Sequence, residues 1–187
     1  MPHHAKKEVN GVEVQVTQRA IVVLRATKKD SKDIWEWRND ELTKKMSIAT
    51  DGVSWETHKG WYEKSLVNPN RYLYLGFVND SEKIGMCRFD VEANANIAEV
   101  SINVNPIHRG KKLSSQLLAR CISAFFEEQS LVLSATIKKV NIGSIKCFES
   151  NGNWDTQPEI VVLHRPNAHL QRQCAFGLPH WGIGESD

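Results

Sequence analysis

The sequence predicts a mixed α/β fold of the α+β kind, and three observations predict it. Residues 72–91 read as a β-hairpin, residues 97–105 alternate between apolar and polar side chains, and residues 97–150 run strand–helix–strand–helix. At 187 residues the chain is long enough to bury a sizeable core in one domain without a disulfide or metal staple.

Residues 1–18 are polar and turn-prone around Asn10-Gly11, and are expected to form a flexible N-terminal extension. The folded domain is expected over 19–165. It opens with the apolar run Ala20 to Leu24, whose β-branched residues suit a buried strand. After the charged Lys28-Lys29-Asp30 loop, Ser31 can cap a helix reaching Arg38. A polar stretch leads to Ser54, which opens a second helix running to about Val67, where Asn68-Pro69-Asn70 stops it. Strands at Tyr72 to Val78 and Lys83 to Val91 flank the turn Asn79 to Glu82.

The next strand, Ile97 to Asn105, puts Ala98, Val100, Ile102 and Val104 on one face and Glu99, Ser101, Asn103 and Asn105 on the other. One face packs on a core and the other meets water or a cleft. Pro106 ends the strand. A helix from about Lys112 to Glu128 follows, with Leu113, Leu117, Cys121 and Phe125 at steps of four and Leu118, Ile122 and Phe126 beside them. A strand at Leu131 to Ile137, a helix at Ile142 to Ser150 and a strand at Ile160 to His164 complete the pattern. Residues 166–187 show no periodicity and are expected to be an irregular tail.

Composition narrows the class. Lys and Arg total 24 against 22 Asp and Glu, a near-balance that argues against a dedicated nucleic-acid binder. No apolar run approaches a bilayer-spanning length, and Met1 to Lys7 lacks an apolar signal region, so a cytoplasmic domain without membrane attachment is expected. The four cysteines form no Cys-x-x-Cys pair, so reduced structural thiols and no metal site are expected.

Two segments carry chemistry. At Asn105-Pro106-Ile107-His108-Arg109-Gly110-Lys111-Lys112-Leu113-Ser114 a polar-faced strand ends and a long helix begins. The first amides of that helix lack internal partners and sit at the positive end of its dipole, a setting suited to phosphate. An ordinary basic turn explains the same residues. In the second segment, residues 141–152, Asn141 reads as a helix cap and Gly152 as a helix stop.

Together these segments resemble the GNAT superfamily of acyl-CoA-dependent N-acetyltransferases. The resemblance spans about Leu24 to Gly152 and rests on the Val-x-Pro before the Arg-Gly-x-x-Leu turn and on Asn-x-x-Ser-Ile-x-x-Phe-Glu-x-x-Gly. Ile34-Trp35-Glu36-Trp37-Arg38-Asn39-Asp40, His58-Lys59-Gly60-Trp61-Tyr62 and Ile84-Gly85-Met86-Cys87-Arg88-Phe89-Asp90 look most like the branch acting on nucleotide-linked amino sugars in pseudaminic acid biosynthesis. The resemblance implies a mixed, strongly curved central sheet with helices on both faces. It also implies acetyl-CoA as co-substrate, lying where two central strands splay apart.

The cofactor's pantetheine would then pair with the backbone of Ile102, Asn103 and Val104. Its pyrophosphate would sit on the turn Arg109, Gly110, Lys111, Lys112, Leu113 and Ser114. Asn141 and Ser144 would contact the CoA arm, with Phe148 beside the thioester. Three positions depart from the family pattern. Lys112 and Ser114 stand where glycine is usual, with Lys112 expected in a helical conformation. Phe148 stands where a tyrosine usually protonates the departing thiolate, and Asn153 follows Gly152 where phenylalanine is usual.

On the amine side, a protonated amine must lose its proton before it attacks, and Glu99 is the expected base, directly or through a water held with Ser101 and Asn103. A solvent-facing strand glutamate is the plainer reading. Arg38 and His58 are the candidate substrate contacts, with Arg88 and Asp90 on the hairpin reaching the same cleft. Arg38 instead reads as a helix-end ion pair with Asp40 or Glu41, and His58 as a satisfied helix histidine. Trp35 and Trp61 read as core. The expected substrate is a small-molecule amine, an amino-sugar nucleotide, with a homodimer admitted. Protein N-termini or polyamines are alternative acceptors, and a non-catalytic acyl-CoA- or nucleotide-sugar-binding module is the alternative from another class. A polyamine site would be markedly acidic, which Arg38, His58 and Arg88 are not.

Overall fold

The computed structural model describes residues 6–9, 12–15, 20–79, 81–152, 154 and 161–165. Two short strands near the N-terminus, β1 (Lys6–Val9) and β2 (Val12–Gln15), pair antiparallel with each other. Their ladder lies in what was expected to be an extension; Asn10-Gly11, and the tail expected over 166–187, fall outside the described residues.

The main sheet has six strands in chain order: β3 (Val22–Arg25), β4 (Arg71–Val78), β5 (Glu82–Glu92), β6 (Ile97–Val104), β7 (Val132–Ile137) and β8 (Val161–Arg165). Every neighbouring pair is antiparallel except β6 and β7, which run parallel and are joined through a helix as parallel strands require. The sheet is therefore mixed, as expected.

Helices cover both faces because successive side chains of each strand point to opposite sides. On one side α4 (Leu113–Glu128) buries Leu117, Leu118, Cys121, Ile122 and Phe125 against Tyr72, Tyr74, Cys87, Phe89, Ala98 and Val100. The rings of Phe89 and Phe125 stack there at 4.4 Å. Deleting either ring is the kind of core truncation that costs about 3–5 kcal/mol. α5 (Ile142–Glu149) adds Cys147 and Phe148 to the same cluster. On the opposite side α1 (Ser31–Asn39) and α3 (Trp55–Val67) contribute Ile34, Trp37 and Tyr62, which pack on Leu73, Leu75 and Met86. Among the described residues the buried tryptophan is thus Trp37, whereas Trp35 is half-buried and donates Nε1–H to the Val53 carbonyl.

The sequence pattern offers no element between residues 39 and 54, but the structure holds a short helix there, α2 (Glu41–Met46). Asp40 caps it, its carboxylate accepting from the Thr43 amide at 3.0 Å. None of its residues is buried, so it has no apolar period to read.

Candidate active site

The parallel ladder between β6 and β7 is only three residues long. It pairs Ile97 with Val132, Ala98 with Leu133 and Glu99 with Ser134, and then stops. Both strands continue, β6 to Val104 and β7 to Ile137, so their C-terminal halves part as the two arms of a V. The edge of β6 that faces β7 therefore carries backbone donors and acceptors with no ladder partner beyond residue 99. Its other edge stays paired with β5 as far as Val104, opposite Gly85. A Cβ at Gly85 would fall 2.6 Å from the Asn103 carbonyl oxygen, so glycine lets the two strands approach there.

Two adjoining cavities open from the V. The smaller, about 280 Å³, is lined by Ile102 and Val104 on β6, by Arg109, Gly110, Lys112, Leu113 and Ser114, and by Asn141 and Ser144 at the start of α5. Of the expected cofactor residues, Asn103 and Phe148 line only the larger cavity, and the exposed Lys111 reaches neither; the rest are brought together here. The α4 N-terminus has no side-chain cap, because the cap position is Lys112. Its first amides are therefore open to an incoming acceptor. An extended thioester-bearing chain laid along the free edge of β6, with its phosphates at this helix end, meets donors at both stages. The residues present fit acetyl-CoA.

Lys112 departs from its expected helical conformation. Its φ of 58° is left-handed, as is the 74° of Gly110, so the turn needs two residues in the region that glycine enters freely. Arg109 also differs from a free phosphate ligand. Its Nη1 lies 2.6 Å from Asp40 Oδ2 and its Nη2 donates to Thr43 Oγ1 at 2.6 Å, so the guanidinium grips α2. Burial alone would raise the Asp40 carboxyl, but the Thr43 amide and the Arg109 guanidinium hold it below its ordinary value. Asn141 is a helix cap as read, accepting from the Ser144 amide at 3.1 Å.

The larger cavity, about 750 Å³, lies on the α1 and α3 side of the sheet. Arg38, His58 and Trp61 line it from the helices, Arg88 from β5, Glu99, Ser101 and Asn103 from the polar face of β6, and Phe148 from α5. Its charged lining consists of two guanidiniums, Arg38 and Arg88, and one carboxylate, Glu99. Glu99 is exposed, and its side chain makes no hydrogen bond or ion pair among the described residues.

Arg38 does not pair with Asp40 or Glu41. Its Nη2 donates to the Ala49 carbonyl at 2.8 Å, while Nη1 is buried and has no partner. Arg88 Nε lies 2.7 Å from Asp90 Oδ2, and Asp90 also receives Arg71, which leaves Asp90 off the cavity wall as a counter-ion behind Arg88. Both guanidiniums approach the Trp61 ring, Arg71 at 5.5 Å and Arg88 at 5.8 Å from its centroid.

His58 is only 3% exposed. Its Nε2–H donates to the Ser31 carbonyl at 2.9 Å, and its ring stacks between Trp55 and Tyr62. Burial pushes its pKa down and the Ser31 bond opposes this only in part, so the ring is neutral at pH 7. Phe148 is buried in the α4-side core and meets Trp154 edge-on at 5.3 Å. It has no proton to give.

The sequence reading missed His108 and the α2 residues Leu42, Thr43 and Met46. His108 is buried against the smaller cavity, its Nε2 lying 3.2 Å from Glu82 Oε1. Only Asp40, an N-cap residue just before Glu41, signalled α2 in advance. Among the described residues, no three His, Cys, Asp or Glu side chains are grouped to hold a metal ion, and no helix is long and apolar enough to cross a membrane.

Residues 21–153 match the family model described as an acetyltransferase (GNAT) domain. No curated protein is a significant sequence match to the chain. Solved structures share the fold at low identity. A domain from Methanocaldococcus jannaschii superposes with a TM-score of 0.67 at 21% identity, covering 79% of this chain and 99% of its own. An aminoglycoside acetyltransferase, AAC(6')-Ib, solved with coenzyme A and kanamycin, gives 0.67 at 15% identity over 82% and 98%. A spermidine N-acetyltransferase from Vibrio cholerae, solved with CoA and spermine, gives 0.66 at 14% identity over 77% and 92%.

Proposed function

The chain belongs to the GNAT acetyltransferase family, and from that premise we propose that it moves the acetyl group of acetyl-CoA onto the amine of an amino-sugar nucleotide. One observation carries the choice of acceptor. The larger cavity presents two guanidiniums against a single carboxylate, with one nitrogen of Arg38 buried and unpartnered. A polycation such as a polyamine finds one carboxylate and two repelling charges there, whereas an amine borne on an anionic molecule finds both of its needs met. Guanidinium forks suit phosphate oxygens, and the Trp61 ring offers a face to a sugar or base.

Acetyl-CoA supplies the acyl group as a thioester. The free backbone edge of Ile102, Asn103 and Val104 holds its pantetheine, and the turn Arg109 to Ser114 holds its phosphates through main-chain amides. Asn141 and Ser144 form the facing wall. Glu99 stands at the last rung of the β6–β7 ladder, where the arms part, and lines the larger cavity. There it takes the proton of the incoming ammonium, directly or through a water shared with Ser101 and Asn103. Strand amides meet the developing oxyanion. With Phe148 at the thioester, the thiolate leaves unassisted or draws its proton from water.

The test is a thiol-release assay with acetyl-CoA against four acceptors: a nucleotide diphosphate-linked amino sugar, the same sugar unlinked, spermidine and kanamycin. The linked sugar should give the highest kcat/KM, about tenfold or more above the free sugar, since each charge-assisted phosphate contact contributes about 1.5–3 kcal/mol. A preference for spermidine or kanamycin would overturn the proposal.

A further inference from the structure

We propose that Arg109 is a positioning residue that clasps α2 across the V, and not a ligand of the cofactor's phosphates. Its guanidinium bonds reach 69 and 66 residues back along the chain, to Asp40 and Thr43 at the start of α2. Those two residues already bond each other as cap and capped amide, so the arginine closes a three-residue knot. The knot is half-buried, with Arg109 at 28% and Asp40 at 25% side-chain exposure.

α2 depends on such ties. It is six residues long, too short to be helical on its own in water, and it buries no side chain. Leu42 is 48% exposed and, just beyond the helix, Ile48 is 57% exposed. What fixes the helix is a set of polar links to both arms of the V. On the β6 side are the Arg109 clasp and a longer contact of 3.5 Å between Thr43 Oγ1 and Asn103 Oδ1. On the β7 side Lys138 Nζ donates to the Lys45 carbonyl at 3.1 Å, and Asn141 Nδ2 to the Met46 carbonyl at 3.4 Å. α2 therefore bridges the open end of the sheet. Leu42 and Met46 line the smaller cavity, while Thr43 and Met46 line the larger one, so a shift of α2 reshapes both. Arg109 provides the one ion pair in this set, from the first residue of the turn that faces the phosphates.

The inference rests on acetyl-CoA occupying the V. The experiment compares the wild type with Arg109→Lys, Arg109→Ala, Asp40→Asn and the double variant Arg109→Lys with Asp40→Asn. Asn keeps the capping geometry of Asp40 and removes only its charge. Affinities for acetyl-CoA and for S-acetylpantetheine, which lacks the nucleotide phosphates, are measured together with amide hydrogen exchange. A clasp predicts that all variants lose about three- to tenfold in affinity for both ligands equally. It also predicts that Lys does no better than Ala, and that the double variant is no worse than either single. In the ligand-free protein, exchange should speed up about tenfold or more at residues 41–46 and stay unchanged in α4 and the sheet.

A phosphate ligand predicts the reverse, and that result would overturn the proposal. Only acetyl-CoA would weaken, Lys would largely rescue, and Asp40→Asn would bind normally. Unchanged exchange in α2 overturns the clasp as well. If the wild type binds neither ligand, the assignment of the V to acetyl-CoA falls, and the exchange data still decide on the clasp.

Discussion

Replacing Lys112 with glycine should stabilise the protein. Lys112 holds a left-handed backbone at φ 58°, in which the Cβ of an L-residue is crowded by its own carbonyl. That conformation costs a non-glycine residue about 1–2 kcal/mol. Glycine removes the crowding but adds about 0.5–1 kcal/mol of backbone entropy lost on folding. The side chain is exposed and makes no hydrogen bond or ion pair among the described residues, so no contact offsets the difference. The net gain is on the order of 0.5–1 kcal/mol, a rise in Tm of about 1–4 °C for a chain of this size.

Urea denaturation should show a higher midpoint with an unchanged slope. Two controls isolate the cause. Lys112→Ala removes the charge and keeps the Cβ, so its midpoint should stay near wild type. Lys111→Gly, one residue earlier and outside the left-handed region, should lose about 0.4–1 kcal/mol of stability through the greater freedom of its unfolded chain. A Lys112→Gly protein that unfolds earlier than wild type, or in step with Lys112→Ala, refutes the account.

Glu99→Gln keeps the size and removes the base. Its kcat should fall about 10²-fold at neutral pH, with the deficit shrinking as pH rises and with acetyl-CoA affinity unchanged; a wild-type kcat from pH 6 to 9 would demote Glu99 to a polar strand residue. Arg38→Ala should raise KM for a nucleotide-linked amino sugar about tenfold or more while leaving KM for acetyl-CoA within about twofold, a split that steady-state kinetics reads directly. The buried His58 should make stability acid-sensitive. Because burial lowers its pKa below the unfolded value of 6.5, its contribution is complete above that value and is lost as pH falls through the folded pKa. Wild type should therefore lose more of its urea midpoint between pH 7 and pH 5 than His58→Gln does, and parallel losses would show that His58 titrates normally.

Most of the sheet was legible because its strands obey a period. The alternation from Ala98 to Val104 announces a two-faced strand, and the four-residue steps from Leu113 to Phe125 announce the helix that covers it. The V was not legible from that pattern. Side-chain alternation is the same whether or not the backbone has a partner, so nothing in 97–105 marks residue 99 as the last rung. Here the family resemblance did what the pattern could not. α2 escaped notice because burial writes the helical signal and α2 buries nothing. The partners of Arg109 and Asp90 escaped for another reason. A charged residue fits many partners, and sequence spacing does not say that Arg109 turns to Asp40, or that Asp90 stands between Arg71 and Arg88.

The order of the main sheet, β3 to β8 without a transposition, bears on how the protein is made. Each strand settles beside the one synthesised just before it, and the pairings β4–β5 and β5–β6 close through short loops of the kind that fold quickly. The step from β3 to β4 waits for α1, α2 and α3, and the parallel step from β6 to β7 waits for all of α4 to be made and to cross over the sheet. A chain emerging from the ribosome can thus complete β3 to β6 as a continuous antiparallel meander while one arm of the V is still missing. Affinity for the acyl donor can arise only after β7 and the start of α5, which carries Asn141 and Ser144, have been made. A pulse of acetyl-CoA during refolding would register the docking of β7 rather than the formation of the sheet as a whole.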